Sequence, residues 1–426
     1  MILLAHPTGN NFFREAAMAF FDAHCLAELH LGIAACGGNS FARLAALPGV
    51  SEIRRRTYDA RLREFLHLHP WRETARLLAE RFGGDIFLTQ ESGLFCVDAV
   101  YRSFDKAVAR RVASDANRFA AVYCYEAAAL NTFRAAKQYG LRCIYDLPIA
   151  HWRTSKTLLT EEAERLPEWE KTLVGNRDSQ AMCDRKDAEL ELADAVVCPS
   201  EFVKDSLRHN ISAAKPVHVI PFGSPIVDRE IGGAECRGGI REQTRPLKVL
   251  FAGGMTQRKG LADLFKAMQL LDPKRFELHV MGSPIAGLEF YYKQYPAFIY
   301  HATRPHHQVL QLMRSMDVFV LPSIVEGRAQ VQQEALACGL PIIVTRNAGA
   351  EDLVEDGRAG FLVPFRSPEA IASKLETLER DRDLLFAMSQ SAVVKAAEVS
   401  WKSYREQLVA AVQDCTDLAA EVSQVS

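Results

Sequence analysis

The sequence predicts an α/β fold made of two doubly wound, Rossmann-like domains, each built on a parallel sheet. Three observations lead to this prediction. The length of 426 residues exceeds what one ordinary core holds and favours two or three domains. Short apolar runs rich in β-branched residues end in turn residues, and segments of helical length separate them. A stretch rich in glycine, proline and charge divides these runs into two series.

Six apolar runs precede the division and six follow it. The first series is ILLAHP, AELHLGIA, AAVYCYE, RCIYDLP, DAVVCPS and PVHVIPFG, and the second is LKVLFAGG, FELHVMG, AFIYHA, VFVLPS, PIIVT and GFLVP. Fully apolar strands of this kind are typical of parallel sheets covered by helices on both faces. We predict an N-terminal domain over residues 1–222, a linker over 223–245 and a C-terminal domain over 246–400. Residues 401–426 begin with helical spacing and form a last helix, which either domain could receive.

The composition excludes several classes of partner. Lys+Arg 51 and Asp+Glu 53 give a net charge of -2, so no global electrostatic case for nucleic-acid binding exists. The ten cysteines are scattered singly without metal-ligand spacing, which is typical of a reducing cytoplasm. No run of 18 apolar residues occurs, and the first residues lack the basic flank and the length of a signal peptide. We expect a cytoplasmic protein, with peripheral attachment to the inner face of the membrane left open.

Residues 41–81 differ from the rest of the chain in charge. They hold nine arginines against five acidic residues, mixed with Leu, Phe and Trp71. One interpretation is a basic amphipathic surface helix that touches anionic lipid or an anionic acceptor. The other is a solvated helix face whose arginine stems cover apolar surface. The sequence leaves both interpretations open.

The stretch EGRAQVQQE places Glu326 and Glu334 eight positions apart. On one helix they would lie about 12 Å apart along the axis, which is too far for an acid/base couple or for the carboxylate pair of a retaining glycosidase. We predict instead that the strand VFVLPS ends at Ser323, that Glu326 and Gly327 lie in the next loop, and that the helix begins near Arg328. Two carboxylates at either end of a helix start suit a ligand of nucleotide-sugar length. The alternative is a surface helix with two solvated glutamates.

A second motif follows the strand LKVLF. The segment FAGGMTQRKG has a glycine turn at Gly253 and Gly254, then Arg258 and Lys259, then an amphipathic helix. A cation pair beside a strand-to-helix turn suits a diphosphate, the leaving group of a nucleotide sugar. The segment is neither GxGxxG nor GxxxxGK[ST], so the dinucleotide and P-loop interpretations do not apply.

Four stretches of the C-terminal half resemble glycosyltransferase family 4 in order and spacing. They are FAGGMTQRKG, DVFVLPSIVEGRAQVQQEALACGLPIIVT, AGAEDLVEDGRAGFLVP and SWKSY, and the second contains the family's E-x7-E motif. In the N-terminal half, ELADAVVCPSEFVKDSL and VIPFG are more faintly similar. The resemblance implies the GT-B fold, in which two Rossmann-like domains face each other across a cleft. It also implies that the last helix crosses back onto the N-terminal domain.

The resemblance implies roles for the motif residues. Glu326 would contact hydroxyls of the transferred sugar, Glu334 would contact the ribose, and Arg258 with Lys259 would bind the diphosphate. The family transfers sugars with retention of anomeric configuration. We therefore expect the same stereochemistry here.

Gly327 and the amides after it, beginning with Arg328, would lie close to the sugar and the phosphate. Two positions depart from the family. Ala329 stands where many relatives have glycine, which would permit unusual backbone angles. Gly254 stands where many have arginine, so Arg258 substitutes for it or phosphate binding depends on Lys259. Both departures put local loop geometry in question more than the fold.

The N-terminal half should supply the acceptor site. Gly9 and Asn10 suit a tight turn whose amides face an anion, the alternative being an ordinary turn between strand and helix. His151 follows a strand where related enzymes place a histidine near the reacting sugar, the alternative being a packed, hydrogen-bonded residue. Glu126 and Asp146 end neighbouring strands and could hold acceptor hydroxyls.

The sequence therefore predicts a retaining glycosyltransferase. It would transfer a sugar from a nucleotide-diphosphate donor to a hydroxyl of a glycan or lipid-linked acceptor, in cell-surface polysaccharide synthesis by analogy with the family. His306 and His307 lack a third spaced ligand, so we expect no metal site, and no cofactor beyond the donor. Alternatives are another GT-B enzyme, such as a sugar-nucleotide epimerase or phosphorylase, and a non-catalytic GT-B partner subunit. The base, the sugar, the acceptor and the oligomeric state are left open.

Overall fold

A computed structural model describes residues 1–45, 51–173, 178–226, 245–354 and 357–416. Most of the predicted linker, residues 227–244, and the end of the last segment, residues 417–426, lie outside the described residues. Within the described ranges, no helix combines the length and the apolarity that crossing a bilayer requires.

The N-terminal half alternates strands and helices from the first residues onward. Its strands are β1 (Ile2–His6), β2 (Leu26–Leu31), β3 (Ala35–Cys36), β4 (Thr57–Tyr58), β5 (Leu66–Leu68), β6 (Ala121–Tyr125), β7 (Arg142–Asp146), β8 (Ala195–Cys198) and β9 (Val217–Val219). Its α-helices are α1 (Asn11–Asp22), α2 (Ser40–Ala45), α3 (Ser51–Arg54), α4 (Pro70–Phe82), α5 (Asp85–Leu88), α6 (Val97–Ser114), α7 (Leu130–Gln138), α8 (Trp152–Arg165), α9 (Gln180–Leu192) and α10 (Glu201–Ser206).

The C-terminal half repeats this alternation. Its strands are β10 (Leu247–Ala252), β11 (Phe276–Met281), β12 (Ile299–His301), β13 (Val318–Leu321), β14 (Ile342–Thr345) and β15 (Gly360–Val363). Its helices are α11 (Leu261–Gln269), α12 (Leu288–Gln294), α13 (His306–Arg314), α14 (Gln330–Ala337), α15 (Pro368–Arg380), α16 (Arg382–Glu398) and α17 (Trp401–Thr416).

Two parallel sheets organise the chain. The first has the order β5-β2-β1-β6-β7-β8-β9 and the second the order β12-β11-β10-β13-β14-β15. Each of the twelve predicted apolar runs contains one of these strands, and the inner strands are buried because helices cover both faces of each sheet, whereas β5, β9 and β12 at the edges are only partly buried. The predicted fold class, two doubly wound parallel-sheet domains, is confirmed.

Strands β3, β4 and β5 were not predicted, because two or three residues give no periodicity. Strands β4 and β5 belong to the arginine-rich segment 41–81, which forms several short elements and not the single basic helix of one of its two interpretations. The described residues there form α2, α3, β4, a 3-10 helix (Ala60–Phe65), β5 and the greater part of α4. Residues 46–50 lie outside the described ranges.

Two segments pack on the half opposite to their neighbours in sequence. Helix α17 inserts Tyr404, Leu408 and Val412 into the apolar cluster of the first sheet, beside residues of β1 and α1. In the other direction, the 3-10 helix Pro167–Thr172 places Trp169 in the core of the C-terminal half, where it contacts Phe265. Both halves are therefore joined by buried apolar contacts.

Candidate functional site

Each sheet reverses its strand order at one place. In the second sheet the reversal lies between β10 and β13, which are neighbours in space but far apart in sequence. Ligands of open α/β folds bind beyond the carboxyl ends of the strands at this position. The loop after β10 carries Arg258 and Lys259, and the loop after β13 carries Glu326, so the topology brings the two predicted motifs together.

Glycines shape the loop after β10. Gly253 has φ +145°, and a Cβ there would lie 3.0 Å from Cδ of Lys259. Gly260 has φ +75° and closes the short 3-10 helix Gln257–Lys259, and a Cβ there would overlap the carbonyl oxygen of Pro322. These two glycines let the loop pack against the end of β13 with the lysine stem across it. A Cβ at Gly254, by contrast, would make only an ordinary contact with Cγ2 of Thr256, at 3.8 Å.

Lys259, Arg258 and Glu326 form a buried ion cluster. The Lys259 ammonium donates to Oε1 of Glu326, and Nη1 of Arg258 lies 3.2 Å from Oε2. Arg258 also donates to the carbonyl of Val325 at 3.1 Å, and its own carbonyl accepts from the amide of Ile324 at 2.8 Å. Burial by itself would raise the pKa of Glu326, but the charges of Lys259 and Arg258 outweigh it and lower that pKa. The carboxylate is therefore ionised and the two cations are held beside it.

Gly327 lies at the contact between the two halves. A Cβ there would overlap the carbonyl oxygen of Pro148 in the N-terminal half. The Gly327 carbonyl also accepts a 2.7 Å hydrogen bond from the hydroxyl of Ser200. Ala329, which replaces the family's usual glycine, has φ -74° and ψ 108°. Because any residue adopts these angles, the alanine causes no strain in the loop.

The side chain of Arg328 is held by groups of the protein itself. Its guanidinium is buried and donates to both carboxylate oxygens of Asp352, at 2.5 and 2.8 Å, and to the carbonyl of Gly349 at 3.1 Å. The predicted role of Arg328 concerns its backbone amide and stays a prediction. The side chain fixes the loop that follows β14. Helix α14 begins at Gln330, two residues later than predicted.

Glu334 points to a different partner from Glu326. Its Oε1 lies 3.0 Å from Nε2 of His306 at the start of α13, and this hydrogen bond raises the pKa of His306. Both side chains line a cavity of about 330 Å³. The opposite wall of the cavity comes from Asn11 and Arg14 of the N-terminal half. Arg14 donates there to the carbonyl of Arg55 at 2.7 Å. The sequence analysis considered His306 only as a metal ligand, since nothing in TRPHHQ signals a partner 28 residues away.

In the loop after β1, the backbone amide of Gly9 donates to a side chain at the end of that strand. Gly9 has φ +68°, and its amide donates to Nδ1 of His6 at 2.8 Å. The side chain of Asn10 caps α1 by accepting from the amide of Phe13. The Gly9 amide therefore does not face an anion as predicted. Burial, and then the charge of Arg56, lower the pKa of His6 to about 3, so this histidine is neutral.

His151 caps helix α8 next to the contact between the halves. It is buried, and the neighbouring Ala150 packs in one apolar cluster with Ile324 and Val325, just before Glu326. Its Nε2 lies 3.3 Å from Oδ1 of Asp187, in an alignment too oblique for a hydrogen bond. Burial lowers the pKa of His151 to about 4, although Asp187 opposes that shift. The structure thus places a neutral histidine on the wall that meets the Glu326 loop.

Glu126 and Asp146 follow and end the neighbouring strands β6 and β7. Both are buried, and the Lys186 ammonium lies 4.0 Å from Oε1 of Glu126. Burial raises the pKa of Glu126, and it raises the pKa of Asp146 to about 7. At neutral pH these groups therefore shift toward the protonated forms, which can donate as well as accept hydrogen bonds.

An ionic network across the two halves was not predicted. Glu162 of α8 accepts from Arg366 at 2.7 Å and from the side-chain Nε2 of Gln257 at 2.7 Å. Arg165 donates to Asp263 of α11 at 2.8 and 2.9 Å. The carboxylates are buried in the contact. Charged residues of helix α8 gave no sequence signal, because such residues usually lie on solvated faces.

One group has the geometry of metal ligands. Glu28, His30 and His67 place ligand atoms within 4.8 Å of one another. The oxygens of Glu28 already accept from Arg111 at 2.6 Å and from Arg118 at 3.0 Å. Two guanidinium groups beside the carboxylate oppose a further dication. The cluster is better described as an ion-pair network in the first sheet.

Comparison with known proteins adds independent information. Residues 246–381 match the model of the family Glycosyl transferases group 1. That segment contains Arg258, Lys259, Glu326 and Glu334.

Two relatives show the extent of the sequence similarity. The putative colanic acid biosynthesis glycosyltransferase WcaL of Salmonella typhimurium is 29% identical over 189 residues, 40% of this chain and 44% of that protein. The D-inositol 3-phosphate glycosyltransferase of Corynebacterium jeikeium is 28% identical over 291 residues, 63% and 67% of the two chains. The chain thus spans less than half of the first of these relatives and about two thirds of the second.

Solved structures match along almost the whole chain. Sucrose-phosphate synthase from Thermosynechococcus elongatus superposes with a TM-score of 0.64 at 16% identity, covering 100% of this chain and 99% of that one. HepE from Anabaena, in complex with UDP, gives 0.62 at 14% identity, covering 97% and 99%. The resemblance drawn from the motifs is confirmed: residues 246–381 of this chain match the model of the family Glycosyl transferases group 1, and the chain as a whole has the GT-B fold.

Proposed function

We propose that this protein is a retaining glycosyltransferase that moves a sugar from a nucleotide-diphosphate donor to a hydroxyl group. The observation that carries the proposal is the cluster of Lys259, Arg258 and Glu326 at the strand-order reversal of the second sheet. The chemistry needs cations where a diphosphate departs and a hydrogen-bond acceptor for the hydroxyls of the sugar. The cluster offers both in a buried place.

The donor would lie along the start of α14. The diphosphate would take hydrogen bonds from Lys259 and Arg258, sharing the two cations with Glu326. Helix α14 has no side-chain cap at Ala329, so its first amides are available to a phosphate. Glu334 would accept hydrogen bonds from the ribose in the cavity shared with His306. Metal ions and cofactors are not part of the proposal.

The acceptor would approach from the N-terminal wall. His151 is buried beside the Glu326 loop. Glu126 follows strand β6, and Asp146 is the last residue of the neighbouring strand β7. We propose that these groups orient an acceptor hydroxyl by hydrogen bonds while the acceptor oxygen replaces the diphosphate at the anomeric carbon. The names of two relatives support a hydroxyl acceptor, since one acts on an inositol phosphate and the other is assigned to colanic acid biosynthesis.

We further propose a role in the synthesis of a cell-surface glycan on a lipid-linked acceptor, at the cytoplasmic side of a membrane. This follows the name of the Salmonella relative and the arginine content of residues 41–81. A lipid-linked acceptor requires the cleft to reach a bilayer surface.

Calorimetry with UDP, GDP and dTDP tests the donor site. We expect one of them to bind. Glu334→Ala should weaken that binding about tenfold, because a buried ribose hydroxyl loses its acceptor. Lys266→Ala, a change of an exposed lysine on α11, should leave binding unaltered. Unchanged nucleotide binding in both Glu334→Ala and Lys259→Ala would overturn the site assignment.

A donor and acceptor screen read by product mass spectrometry tests the reaction itself. Release of the sugar from the donor only when an acceptor is present supports transfer. Epimerisation of the donor alone, or phosphorolysis with inorganic phosphate, would instead support another GT-B enzyme. Nuclear magnetic resonance of the product would show whether the anomeric configuration is retained.

A further inference from the structure

Helix α4 is inverted: its apolar side chains face solvent and a charged one is buried. Trp71, Leu78 and Phe82 are 66%, 51% and 77% exposed. At about 100° per residue they fall within roughly 40° of one another on one face of the helix. Glu73, on the other side, is fully buried, with Arg56 at 2.6 Å and Arg76 at 2.8 Å. A surface helix normally shows the opposite arrangement.

The apolar face continues beyond the end of α4. Ile86 is 79% exposed, and Phe87, Leu94 and Val97 are also exposed. We call these residues, with Trp71, Leu78 and Phe82, the apolar ridge. It contains seven of the 18 large exposed hydrophobic side chains found in the described part of the chain, within 27 residues. A concentration of this kind on a protein surface marks an interaction site.

Aromatic contacts hold the ridge together as a structured surface. The ring of Phe95 packs edge-on against Trp71, with centroids 5.8 Å apart, and against Phe87 at 5.9 Å. Glu91 accepts from the amide of Ser179 at 2.8 Å, which ties the loop after α5 to the N-terminus of α9. The exposed side chains are therefore presented by an ordered segment.

We propose that the apolar ridge inserts into the surface of an anionic phospholipid bilayer. The most exposed side chains, Phe82 and Ile86, stand on either side of the turn at Gly83 and Gly84, so they form a convex tip. A convex apolar tip inserts readily between lipid chains, whereas a protein partner would need a matching concave pocket. Aromatic side chains such as Trp71 suit the boundary between head groups and acyl chains.

The charges next to the ridge complement phosphate head groups. Residues 41–97 contain nine arginines and no lysine. Guanidinium groups bind phosphate with two parallel hydrogen bonds, which ammonium groups cannot do. Arg81, next to Phe82 in the chain, is exposed, as are Arg55 and Arg61, which pair with Glu52 and Asp59. The expected membrane contact thus moves from a basic helix to the apolar ridge, with arginines at its margin.

The ridge lies beside the edge of the first sheet that faces the cleft. Helix α4 follows the carboxyl end of β5 directly, and just before it the amide of His69 donates to the carbonyl of Leu31 at the carboxyl end of β2, at 2.8 Å. A protein bound through the ridge would therefore hold the carboxyl end of its first sheet close to the bilayer. This deepens the proposed function, on which it rests in part, because a lipid-linked acceptor could then enter the cleft without leaving the membrane.

Flotation with vesicles tests the proposal without any assay of transfer. Vesicles of phosphatidylglycerol and phosphatidylcholine in equal parts should carry the protein upward, and vesicles of phosphatidylcholine alone should carry less. The double variant Phe82→Ser, Ile86→Ser should bind the anionic vesicles at least about tenfold more weakly, since two exposed side chains lose their transfer from water. The matched control is Phe386→Ser, Val394→Ser, which alters one aromatic and one β-branched side chain exposed on α16.

The outcomes are distinct. No binding of the unaltered protein to anionic vesicles at low salt would overturn the proposal, as would equal binding of both double variants. Loss of a dimer in the Phe82 and Ile86 variant, seen by sedimentation, would show instead that the ridge joins two copies. Nucleotide binding should be unaltered in the variant, which shows that it folds. A failure of nucleotide binding in every form would count against the proposed function and not against the ridge.

Discussion

The two walls of the cleft shift the pKa values of their ionisable groups in opposite senses, one toward the charged forms and the other toward the neutral forms. On the C-terminal wall the groups are held in their charged forms: Lys259 and Arg258 lower the pKa of Glu326, and Glu334 raises the pKa of His306. On the N-terminal wall the groups are driven toward their neutral forms. Burial lowers the pKa of His151 to about 4 and raises that of Asp146 to about 7.

The difference comes from counter-ions and not from depth alone. Glu326 and Asp146 are both buried, yet only Glu326 has cations against its oxygens. Burial without a partner favours the neutral form, and burial with a close opposite charge favours the ionised one. A charged wall suits a diphosphate, and a neutral wall suits hydroxyl groups that must be oriented without strong electrostatic competition. The contrast therefore agrees with a donor side and an acceptor side.

The sheets beneath these walls are built alike. The second strand of each sheet in chain order carries the sequence Glu-Leu-His. It gives Glu28 and His30 on β2, and Glu277 and His279 on β11. In both, the histidine contacts a second histidine from the edge of the sheet, at 3.0 Å for His69. The distance from His279 to the corresponding His301 is 2.9 Å. The contrast between the walls is thus a property of their loops.

Removal of the lysine should break the charged wall with the largest effect. Lys259→Ala removes the main cation beside Glu326 and one of the two proposed for the diphosphate. We expect transfer to slow about 100- to 1000-fold, as when one preorganised charge-stabilising group is lost. Steady-state kinetics of product formation measures this, with Lys266→Ala as the control for losing a lysine on the adjoining helix. A rate within threefold of the unaltered enzyme would contradict the assignment.

Asp146→Asn should remove a pH dependence from the neutral wall. The folded pKa of Asp146, about 7, lies above its ordinary value of 3.8, so between these values the native state binds more protons than the unfolded state. Stability from this group is therefore present at low pH and is lost as pH rises toward 7, by about 2–4 kcal/mol.

The asparagine cannot ionise. Between pH 5 and pH 8 the free energy of unfolding of the variant should therefore rise by about 2 kcal/mol relative to that of the unaltered protein. Urea unfolding of both proteins at the two pH values measures that difference. The comparison within each protein cancels the constant cost of the substitution. Parallel pH dependences would show that Asp146 is ionised in the folded state.

His306→Gln should change the pH dependence of nucleotide binding by a smaller amount. The raised pKa of His306 means that its pair with Glu334 is strongest below about pH 6.5 and weakens as pH rises through the raised pKa. If ribose hydroxyls take Glu334 from the histidine, nucleotide binding should strengthen about two- to threefold from pH 6 to pH 8. Calorimetry should find this rise in the unaltered protein and a flat profile in the variant.

The smallest expected effect concerns the pH dependence of the transfer rate, in which His151 should not titrate. Because the pKa of His151 is about 4, the ring stays neutral at every pH above about 5.5. His151→Gln should therefore scale the rate without altering the shape of its pH profile between pH 5.5 and 8. A limb near pH 6.5 that is present in the unaltered enzyme and missing in the variant would show that the N-terminal wall carries charge after all.

The sequence analysis succeeded where function depends on contiguous residues. EGRAQVQQE and FAGGMTQRKG each contain their own strand end, turn and helix start, so the positions of Glu326, Lys259 and Glu334 followed from local patterns. It failed where a contact joins distant segments. The pair of the Arg328 guanidinium with Asp352 was not predicted, because Asp352 lies in another loop. The Gly9 amide was expected to face an anion. It donates instead to the side chain of His6, because the turn folds back on the end of β1.

The amino-acid sequence by itself determined the two series of parallel strands, the division between them and the residues that form the charged wall. Periodicity and turn chemistry are local, so each strand and helix carries its own signal. Tertiary structure alone decided which carboxylates have counter-ions, where α17 packs and that α4 turns its apolar face outward. Those features depend on groups brought together from far along the chain, and burial with or without a partner sets their charge.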